Sequence, residues 1–457
     1  MSITLLLSDL PADIIFSVFA CCDIASVVSV GQTCCALHTL ALEKSVWLVL
    51  LDDLRRRCIF DRNCTPNLEM LSTAEMIEVV KRLLIEPQTW SPTEHNSVAE
   101  ISRTITLHPK ITTEHSYWNV PELLRSGRYV LFINSYRLKC WSAVDDRLVW
   151  THISSMDNMK VYGFATEEAD AEITIIVCFT ARLNNELENY VEIVDLDLQT
   201  GTHISLLVAR VPDYGHMNTN MLSEPAICGA FAAVRSSVGW GDLYMVVNWR
   251  EKLYLVLQSE LEAELHGALI PGHILLGDEE LYLISSPTLS PYWAPTIAPD
   301  FPAEFLPVSR KDIPKLRPLE ASHAEQGFIR LYAHESPIRD GHYFVWIYGA
   351  HSLHHRDTFL SYRLSILTNE EPQWSPRSGP LERGLTHAYY PITYGGHSIA
   401  SGTSHERAVF TVFSAASASP EIQVDLPPSA ALRIDIAPYS GALTHSTDSS
   451  VVIQYYK

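Results

Sequence analysis

The chain has 457 residues, of which 47% are hydrophobic and 19% are charged, proportions typical of a globular protein rather than a disordered one. This length predicts two or three domains, or one small module and one large domain. The formal net charge of −20 argues against a nucleic-acid backbone or an anionic membrane surface as a partner, because both bind through basic patches.

The nine cysteines form no C-x-x-C pair, so the ligand spacing of a structural zinc site is absent. Residues 1–9 have no basic region and only a few apolar residues, and we therefore predict no signal peptide. No apolar run approaches the ~18 residues that span a bilayer. These features predict a protein of the cytoplasm and/or nucleus with reduced thiols, and neither a metal nor a cofactor is expected.

Residues 10–54 carry the pattern of four short helices. Pro11 suits a first helical turn, and Asp9 is predicted to cap it. Apolar residues then recur at the i, i+4 spacing that gives a helix one apolar face, and Asp23 restarts the pattern as a second cap. The helices carry more apolar residues than roughly forty residues can bury among themselves, which predicts a surface that binds a partner.

The order of these residues resembles an F-box, the helical module that binds the Skp adaptor of cullin-RING ubiquitin ligases. The matching residues are Leu10, Pro11, Ile14, Ile15, Val18, Phe19, Val30, Cys34, Leu40, Ala41 and Trp47. Two positions depart from the usual pattern, since Cys22 stands where the family favours leucine and Leu37 stands where a tryptophan or another large residue is common. The alternative is a helical cap that packs only on its own domain.

The resemblance implies that the module binds a Skp-type adaptor and, through it, a cullin. The residues expected to form the adaptor-binding surface are Leu10, Pro11, Ile14, Ile15, Val18, Phe19 and Val30.

One more helix is predicted after this module. Ser72 and Glu75 form a capping box at its start, and Pro87 ends it because proline cannot continue a helix. The polar stretch that begins at Trp90 is typical of a linker. The predicted organisation is an F-box module over 1–60, a helical connector over 61–90, a linker over 91–100 and an all-β domain over 101–457.

From Ile101 onward the hydrophobic periodicity is two, and many short strands follow at near-regular spacing, which indicates an all-β architecture. Residues 127–150, 173–206 and 341–374 share one plan of apolar strand, turn, alternating strand and polar turn. About 45 residues per unit over roughly 350 residues predict about seven blades. The units resemble the blades of the WD-repeat and quinoprotein-like propellers that follow F-boxes in many fungal proteins. Two stacked sandwiches are the competing fold.

The predicted fold class is thus α+β and multidomain, with a small N-terminal helical module followed by a large all-β domain, a β-propeller of about seven blades. A propeller ring must pair its first and last blades, since otherwise each would leave an open edge. Residues 451–455 form a β-branched and aromatic strand, and we predict that they join the blade that receives residues 101–107.

Two patterns suggest chemistry, and both have a simpler interpretation. Residues 396–400 (GHSIA) nearly match the nucleophile elbow of α/β hydrolases, with Ser398 as the nucleophile. That elbow must precede a helix, and the sequence after Ser398 opens none, so we predict a loop that enters a strand. His351, His354 and His355 could share a metal-binding face on a helix, but their position between two strands predicts a hairpin loop.

By resemblance, the chain is expected to be the substrate-recognition subunit of a Skp–cullin–F-box E3 ubiquitin ligase. Such a subunit is not an enzyme, and it acts by bringing an unidentified protein target close to the conjugating enzyme. The alternatives are an F-box scaffold without a ligase role and a serine hydrolase centred on Ser398. No catalytic residue, nucleic acid or membrane partner is expected.

Overall fold

A computed structural model describes the protein over most of its length. The described residues are 6–62, 67–91, 98–110, 120–154, 156, 158–169, 172–183, 186–211, 221–238, 241–258, 265–277, 280–296, 308–309, 312–313, 318–320, 328–351, 356–367, 370–383, 391–404, 407–417, 420–427, 434–447 and 449–457.

Short helices form one module at the beginning of the described chain. They are α1 (Ala12–Phe19), α2 (Ile24–Gly31), α3 (Cys35–Ala41), α4 (Lys44–Arg56) and α5 (Thr73–Ile85). Two predicted caps are confirmed: the carboxylate of Asp23 accepts the N–H of Ser26 at 2.7 Å, and Ser72 and Glu75 form a capping box at α5.

The predicted cap of α1 is wrong. The N-cap residue is Pro11, and the carboxylate of Asp9 accepts the N–H of Leu6 at 3.0 Å instead. A short 3-10 turn at Leu7–Asp9 directs that carboxylate back toward residue 6.

All five helices share one hydrophobic core, which contains Phe19, Trp47 and Leu51. Helix α5 adds Met76 and Val80 to this core, so it packs together with α1 to α4 as one unit. We call α1 to α5 the helical module.

Most of the described elements after the helical module are strands, and they form seven blades. The first strand in the sequence is β1 (Ile101–Leu107), which belongs to blade 7. Blade 1 is β2 (Glu122–Leu123), β3 (Tyr129–Asn134), β4 (Arg137–Ser142) and β5 (Arg147–Thr151). Blade 2 is β6 (Lys160–Ala169), β7 (Glu172–Leu183), β8 (Glu186–Asp197) and β9 (Thr202–Arg210). Blade 3 is β10 (Met221–Cys228), β11 (Phe231–Val238), β12 (Gly241–Asn248) and β13 (Leu253–Gln258).

In blade 4, the chain between the third and fourth strands pairs with the neighbouring blade 3. Its first strands are β14 (His266–Ile270), β15 (His273–Gly277) and β16 (Leu281–Ser285). They are followed by α6 (Ser286–Leu289), by β17 (Ala294–Pro295) and β18 (Val308–Ser309), and by β19 (Pro318–Glu320). Strands β17 and β18 both pair with β13 of blade 3, whereas β19 returns to β16.

The last three blades complete the ring. Blade 5 is β20 (Phe328–Glu335), β21 (His342–His351), β22 (Arg356–Ser365) and β23 (Gln373–Arg383). Blade 6 is β24 (His397–Ser404), β25 (Arg407–Ser414) and β26 (Ile422–Val424). Blade 7 is β27 (Ile434–Ile436), β28 (Leu443–Ser446), β29 (Val451–Tyr456) and β1.

This topology is a seven-bladed β-propeller, as the sequence predicts, and it excludes the two stacked sandwiches. The first strands of neighbouring blades contact one another: β6 contacts β10, β14 contacts β20 and β27 contacts β2. These strands therefore surround the axis of the ring. Each of the three predicted repeat units supplies the second, third and fourth strands of one blade, namely blades 1, 2 and 5.

The predicted ring closure is confirmed. Strand β1 pairs antiparallel with β29, from Ile101 opposite Tyr456 to Leu107 opposite Val451. One blade therefore combines strands from the two ends of the propeller sequence, so that neither β1 nor β29 is left without a partner along that edge.

The predicted linker over 91–100 needs correction at its C-terminal end. Residues 92–97 lie outside the described part of the chain. Val98 forms a bridge with Gln423, Ala99 donates its N–H to the carbonyl of Gln423 at 2.9 Å, and the carbonyl of Glu100 accepts the N–H of Lys457. These three residues belong to the propeller because their backbone groups are paired with it.

Candidate functional site

The helical module lies on one end of the propeller, over turns that enter the second strand of several blades. It contacts these turns in blades 5, 7 and 1, and in blade 6 it contacts the segment before β24. The four blades are consecutive around the point of ring closure. We call the side of the module that faces these turns the inner face, and the side that faces solvent the outer face.

Arg57, at the end of α4, joins the inner face to blade 5. Its guanidinium lies 2.8 Å from Glu335 and 3.0 Å from Asp340, and it donates to the carbonyl of Ser336 at 3.0 Å. Burial alone would lower the pKa of Arg57, but Glu335, Asp340 and Asp53 together raise it above its ordinary value. The fork geometry of the guanidinium allows it to hold both carboxylates of the turn at once.

Glu86 joins the inner face to blade 6. It follows α5 directly, with φ at +65°, and its side chain is fully buried. One carboxylate oxygen accepts the N–H of Gly395 at 2.8 Å, and the other lies 2.5 Å from Nδ1 of His397. A buried carboxylate requires such partners, since an unpaired charge would be strongly destabilising in the interior.

Aromatic residues extend the core of the module into the propeller. Tyr394 of blade 6 and Tyr439 of blade 7 belong to the same hydrophobic core as the helices. Conversely, Trp90 is 2% exposed and lies in a propeller core, with its ring 5.5 Å from His397 and 5.7 Å from Tyr456. The assignment of Trp90 to a linker is therefore wrong, because its side chain is buried between blades.

Two glycines allow close approach at this junction. Gly441 lies in a turn with a φ of +65°, which favours glycine, and a Cβ there would lie 2.7 Å from the ring of Trp90. Gly127 of blade 1 has a φ of +73°, and a Cβ there would lie 1.8 Å from the carboxylate of Asp61. That carboxylate accepts the hydroxyl of Tyr455 on β29 at 2.9 Å, which ties the module to the closing strand.

The sequence gives weak signals for these inner-face residues. Arg57, Glu86 and Trp90 were not predicted as interface residues because their partners lie about 280 to 370 positions away in the chain. The one local sign of burial is at Trp90, which is an isolated large apolar residue within a polar stretch.

The residues predicted to bind an adaptor divide between the core and the outer face. Ile15 and Phe19 are each 1% exposed and belong to the core of the module, so a direct contact with a partner is excluded for them in this structure. Leu10 and Val30 are partly buried against that core. The periodicity of α1 does not show that Ile15 is buried while Ile14 is exposed, because the two apolar faces of the helix carry similar residues.

The other three predicted residues are exposed. Pro11 is exposed, Ile14 is 45% exposed and Val18 is 40% exposed, and their spacing places them along one side of α1. Leu7, which is 39% exposed, precedes them on the 3-10 turn. We call Leu7, Pro11, Ile14 and Val18 the α1 stripe.

The α1 stripe continues toward a small cleft at the edge of the module. The cleft has a volume of about 110 Å³ and lies between the end of α1, the start of α2, α4 and the turn between β20 and β21. Its walls are formed by Ala20, Cys21, Cys22, Asp23, Ile24, Val49, Leu50, Asp53, Leu54, Arg57, Pro337 and Asp340.

Ser398 is not placed as a hydrolase nucleophile. It lies in β24, where it is 1% exposed, and its hydroxyl donates to the carbonyl of Pro391 at 3.2 Å. A strand rather than a helix follows it, as predicted, so the geometry of a nucleophile elbow is absent there.

The predicted histidine loop lies mostly outside the described residues, which exclude His354 and His355, while His351 ends β21. Within the described ranges, no group of three or more His, Cys, Asp or Glu side chains could hold a metal ion. The helices described for this chain include none with the length and apolar character needed to cross a membrane.

Carboxylates from neighbouring blades meet near the propeller axis. Thr166 of β6 donates its hydroxyl to Glu122 of β2 at 3.0 Å. Burial is the main effect that raises the pKa of Glu122 to about 7, and the charge of Glu168 adds to it. Burial and the charge of Glu122 also raise the pKa of Asp435 on β27, so the titrations of the two carboxyl groups are coupled.

No protein-family model matches the chain, and no curated protein matches it. Among solved structures, the chain is similar to the WD40 domain of SCAP from fission yeast. The match has 10% sequence identity and a TM-score of 0.39, and it covers 74% of this chain and 81% of that chain. The seven blades follow from the strand pairing described above rather than from this likeness.

Proposed function

We propose that this chain is the substrate-recognition subunit of a Skp–cullin–F-box type E3 ubiquitin ligase. In this role the helical module binds a Skp-type adaptor, the adaptor binds a cullin, and the propeller binds a protein target. The subunit contributes proximity, because it raises the effective concentration of target lysines at the conjugating enzyme.

The α1 stripe carries the proposal. The core of the module is complete without Ile14 and Val18, which keep 45% and 40% of their surface in water. Burial of such surface stabilises a complex by about 25 cal/mol per Å². Three residues of the stripe, Pro11, Ile14 and Val18, also belong to the pattern that resembles the adaptor-binding surface of an F-box, in a module that is followed by a propeller.

The test is the affinity of the purified protein for a recombinant Skp-type adaptor. Ile14→Asp with Val18→Asp places two carboxylates on the stripe, and we expect at least a tenfold loss of affinity, equivalent to about 1.4 kcal/mol. Ala12→Asp is the control, since it adds one carboxylate at an exposed position of α1 that lies off the stripe. Equal binding by the wild type and the double variant would remove the stripe from the interface.

Absence of any adaptor binding by the wild-type protein would refute the proposed function. Recovery of the adaptor from cells without a cullin would favour the alternative, an F-box scaffold with no ligase role.

A further inference from the structure

The cleft beside the α1 stripe is built jointly by the helical module and the propeller. The backbone N–H of Ala25 donates to the carbonyl of Ile338 at 2.9 Å, and the N–H of Asp340 donates to the carboxylate of Asp23 at 3.3 Å. Arg57 spans the same junction, with Asp53 of α4 on one side and residues of the blade 5 turn on the other. These contacts fix the turn of blade 5 against α2 and α4, so the cleft is formed before any partner arrives.

Carboxylates outnumber cations around this cleft. Asp23, Asp53 and Asp340 line it together with a single guanidinium, that of Arg57. Asp53 is also paired with Arg56 at 3.3 Å, and Arg57 is shared with Glu335. The side chains of Asp53 and Asp340 nevertheless remain 44% and 70% exposed. A further cation entering the cleft would therefore be attracted to carboxylates that are only partly neutralised.

The rest of the cleft is apolar, which suits the stem of a long basic side chain. Ile24, Leu50 and Leu54 form part of its walls. A volume of about 110 Å³ is the space of only a few water molecules, so it admits the end of one side chain and not a folded segment. Lysine and arginine place an aliphatic stem against apolar walls while the charged head reaches carboxylates.

The cleft and the α1 stripe form one continuous surface. Cys21, on the cleft wall, follows Val18 by three positions, close to one turn further along the chain. Val49 of α4 lines the cleft from the other side and is 41% exposed. A protein that covers Ile14 and Val18 therefore reaches the mouth of the cleft without any rearrangement.

We propose that a lysine or arginine side chain of the Skp-type adaptor enters this cleft, so that the adaptor contacts the propeller at the blade 5 turn as well as the helical module. This inference rests on the proposed function, since it assigns a second contact to the same adaptor. Its consequence is geometric: the propeller is held in one orientation relative to the adaptor.

The experiment measures adaptor affinity for Asp53→Asn with Asp340→Asn, which removes two cleft charges with little change of shape. We expect about a tenfold weaker complex and a smaller dependence of affinity on salt. Asp52→Asn is the matched control, because Asp52 is a neighbouring exposed carboxylate on α4 that does not line the cleft. We expect it to bind within twofold of the wild type.

Ala20→Arg is a second variant that leaves every ion pair of the junction in place. The new arginine lies on the cleft wall and can occupy the cleft in place of a basic side chain of the adaptor. We therefore expect it to weaken adaptor binding by at least fivefold. If both cleft variants bind as tightly as Asp52→Asn while Ile14→Asp with Val18→Asp loses the adaptor, the cleft inference is wrong and the proposed function stands. If the wild-type protein binds no adaptor, both are wrong.

Discussion

The inner and outer faces of the helical module differ both in the residues that form them and in how far those residues are buried. On the inner face, Arg57, Glu86 and Asp61 all have partners in the propeller, and Tyr394 and Tyr439 complete the core. On the outer face, the aliphatic side chains of the α1 stripe remain in water. The difference shows that the fold satisfies one face by itself and leaves the aliphatic side chains of the other exposed to solvent.

The largest expected effect comes from removing the strand on which both the ring and the inner face depend. Deletion of residues 450–457 removes β29, which pairs with β1 and β28, and it also removes the Tyr455 hydroxyl that bonds to Asp61. We expect the whole stability of a typical domain, about 5–15 kcal/mol, to be lost, with no cooperative thermal transition. A short tag added after Lys457 should be tolerated. A truncated protein that melts within about 2 °C of the intact one would contradict this role.

A smaller effect is expected at the centre of the junction. Trp90→Ala leaves a cavity between blades 6 and 7 and removes the contacts with His397 and Tyr456, at a cost of about 3–5 kcal/mol in the free energy of unfolding. Met70→Ala, at a position that is 80% exposed, should change it by less than about 0.5 kcal/mol. Both changes in the free energy of unfolding are measured from the midpoints of denaturant unfolding curves, provided that the dependence on denaturant concentration has the same slope in each variant. Similar values for the two variants would show that the inner face is not part of the core.

Two adjacent isoleucines of α1 test the comparison most directly. Ile15 is 1% exposed and Ile14 is 45% exposed, so the same change to alanine samples opposite faces of one helix. We expect Ile15→Ala to cost about 2–5 kcal/mol. Ile14→Ala should cost less than about 0.5 kcal/mol, because alanine's higher helix propensity offsets the small loss of burial. Chemical denaturation distinguishes them, and equal costs would mean that the orientation of α1 differs from the one described.

The smallest effect concerns the axis of the propeller, at the end where the module lies. The folded pKa of Glu122 is about 7, above its ordinary value of 4.5, so the folded state binds more protons than the unfolded state between these values. Stability should therefore fall as pH rises from 4.5 to about 7. Glu122→Gln should flatten this dependence, by about 2 °C in Tm between pH 5 and pH 8. An identical pH profile for the variant would show that Glu122 titrates as it does in the unfolded chain.

The sequence predicts those features that depend on nearby residues. The caps at Asp23 and Ser72, the strand periodicity and the repeated blade plan follow from local patterns. The pairing of β1 with β29 follows from the general need to close a ring. The inner face does not follow from them. Arg57 could equally have been a solvated helix end, since its carboxylate partners Glu335 and Asp340 are unrelated to it by any spacing in the sequence.

The candidate site was predictable as a helix but not as a surface. Ile14, Ile15, Val18 and Phe19 alternate between two apolar sides of α1, and only the position of the other helices decides which side is buried. The cleft was beyond prediction, because its walls come from three helices and from a propeller turn far along the chain.

The pairing of β1 with β29 also sets the order in which the protein can mature on the ribosome. Residues 101–107 leave the exit tunnel roughly 340 residues before their partner strand, a delay of about 20–70 s at ordinary rates of translation. Tyr394 and Tyr439, which complete the core of the helices, are also synthesised late in that interval. The inner face of the helical module therefore stays exposed until the last blades have been synthesised. A message cut short before residue 451 yields a ring that cannot close, because β1 then has no β29 to pair with.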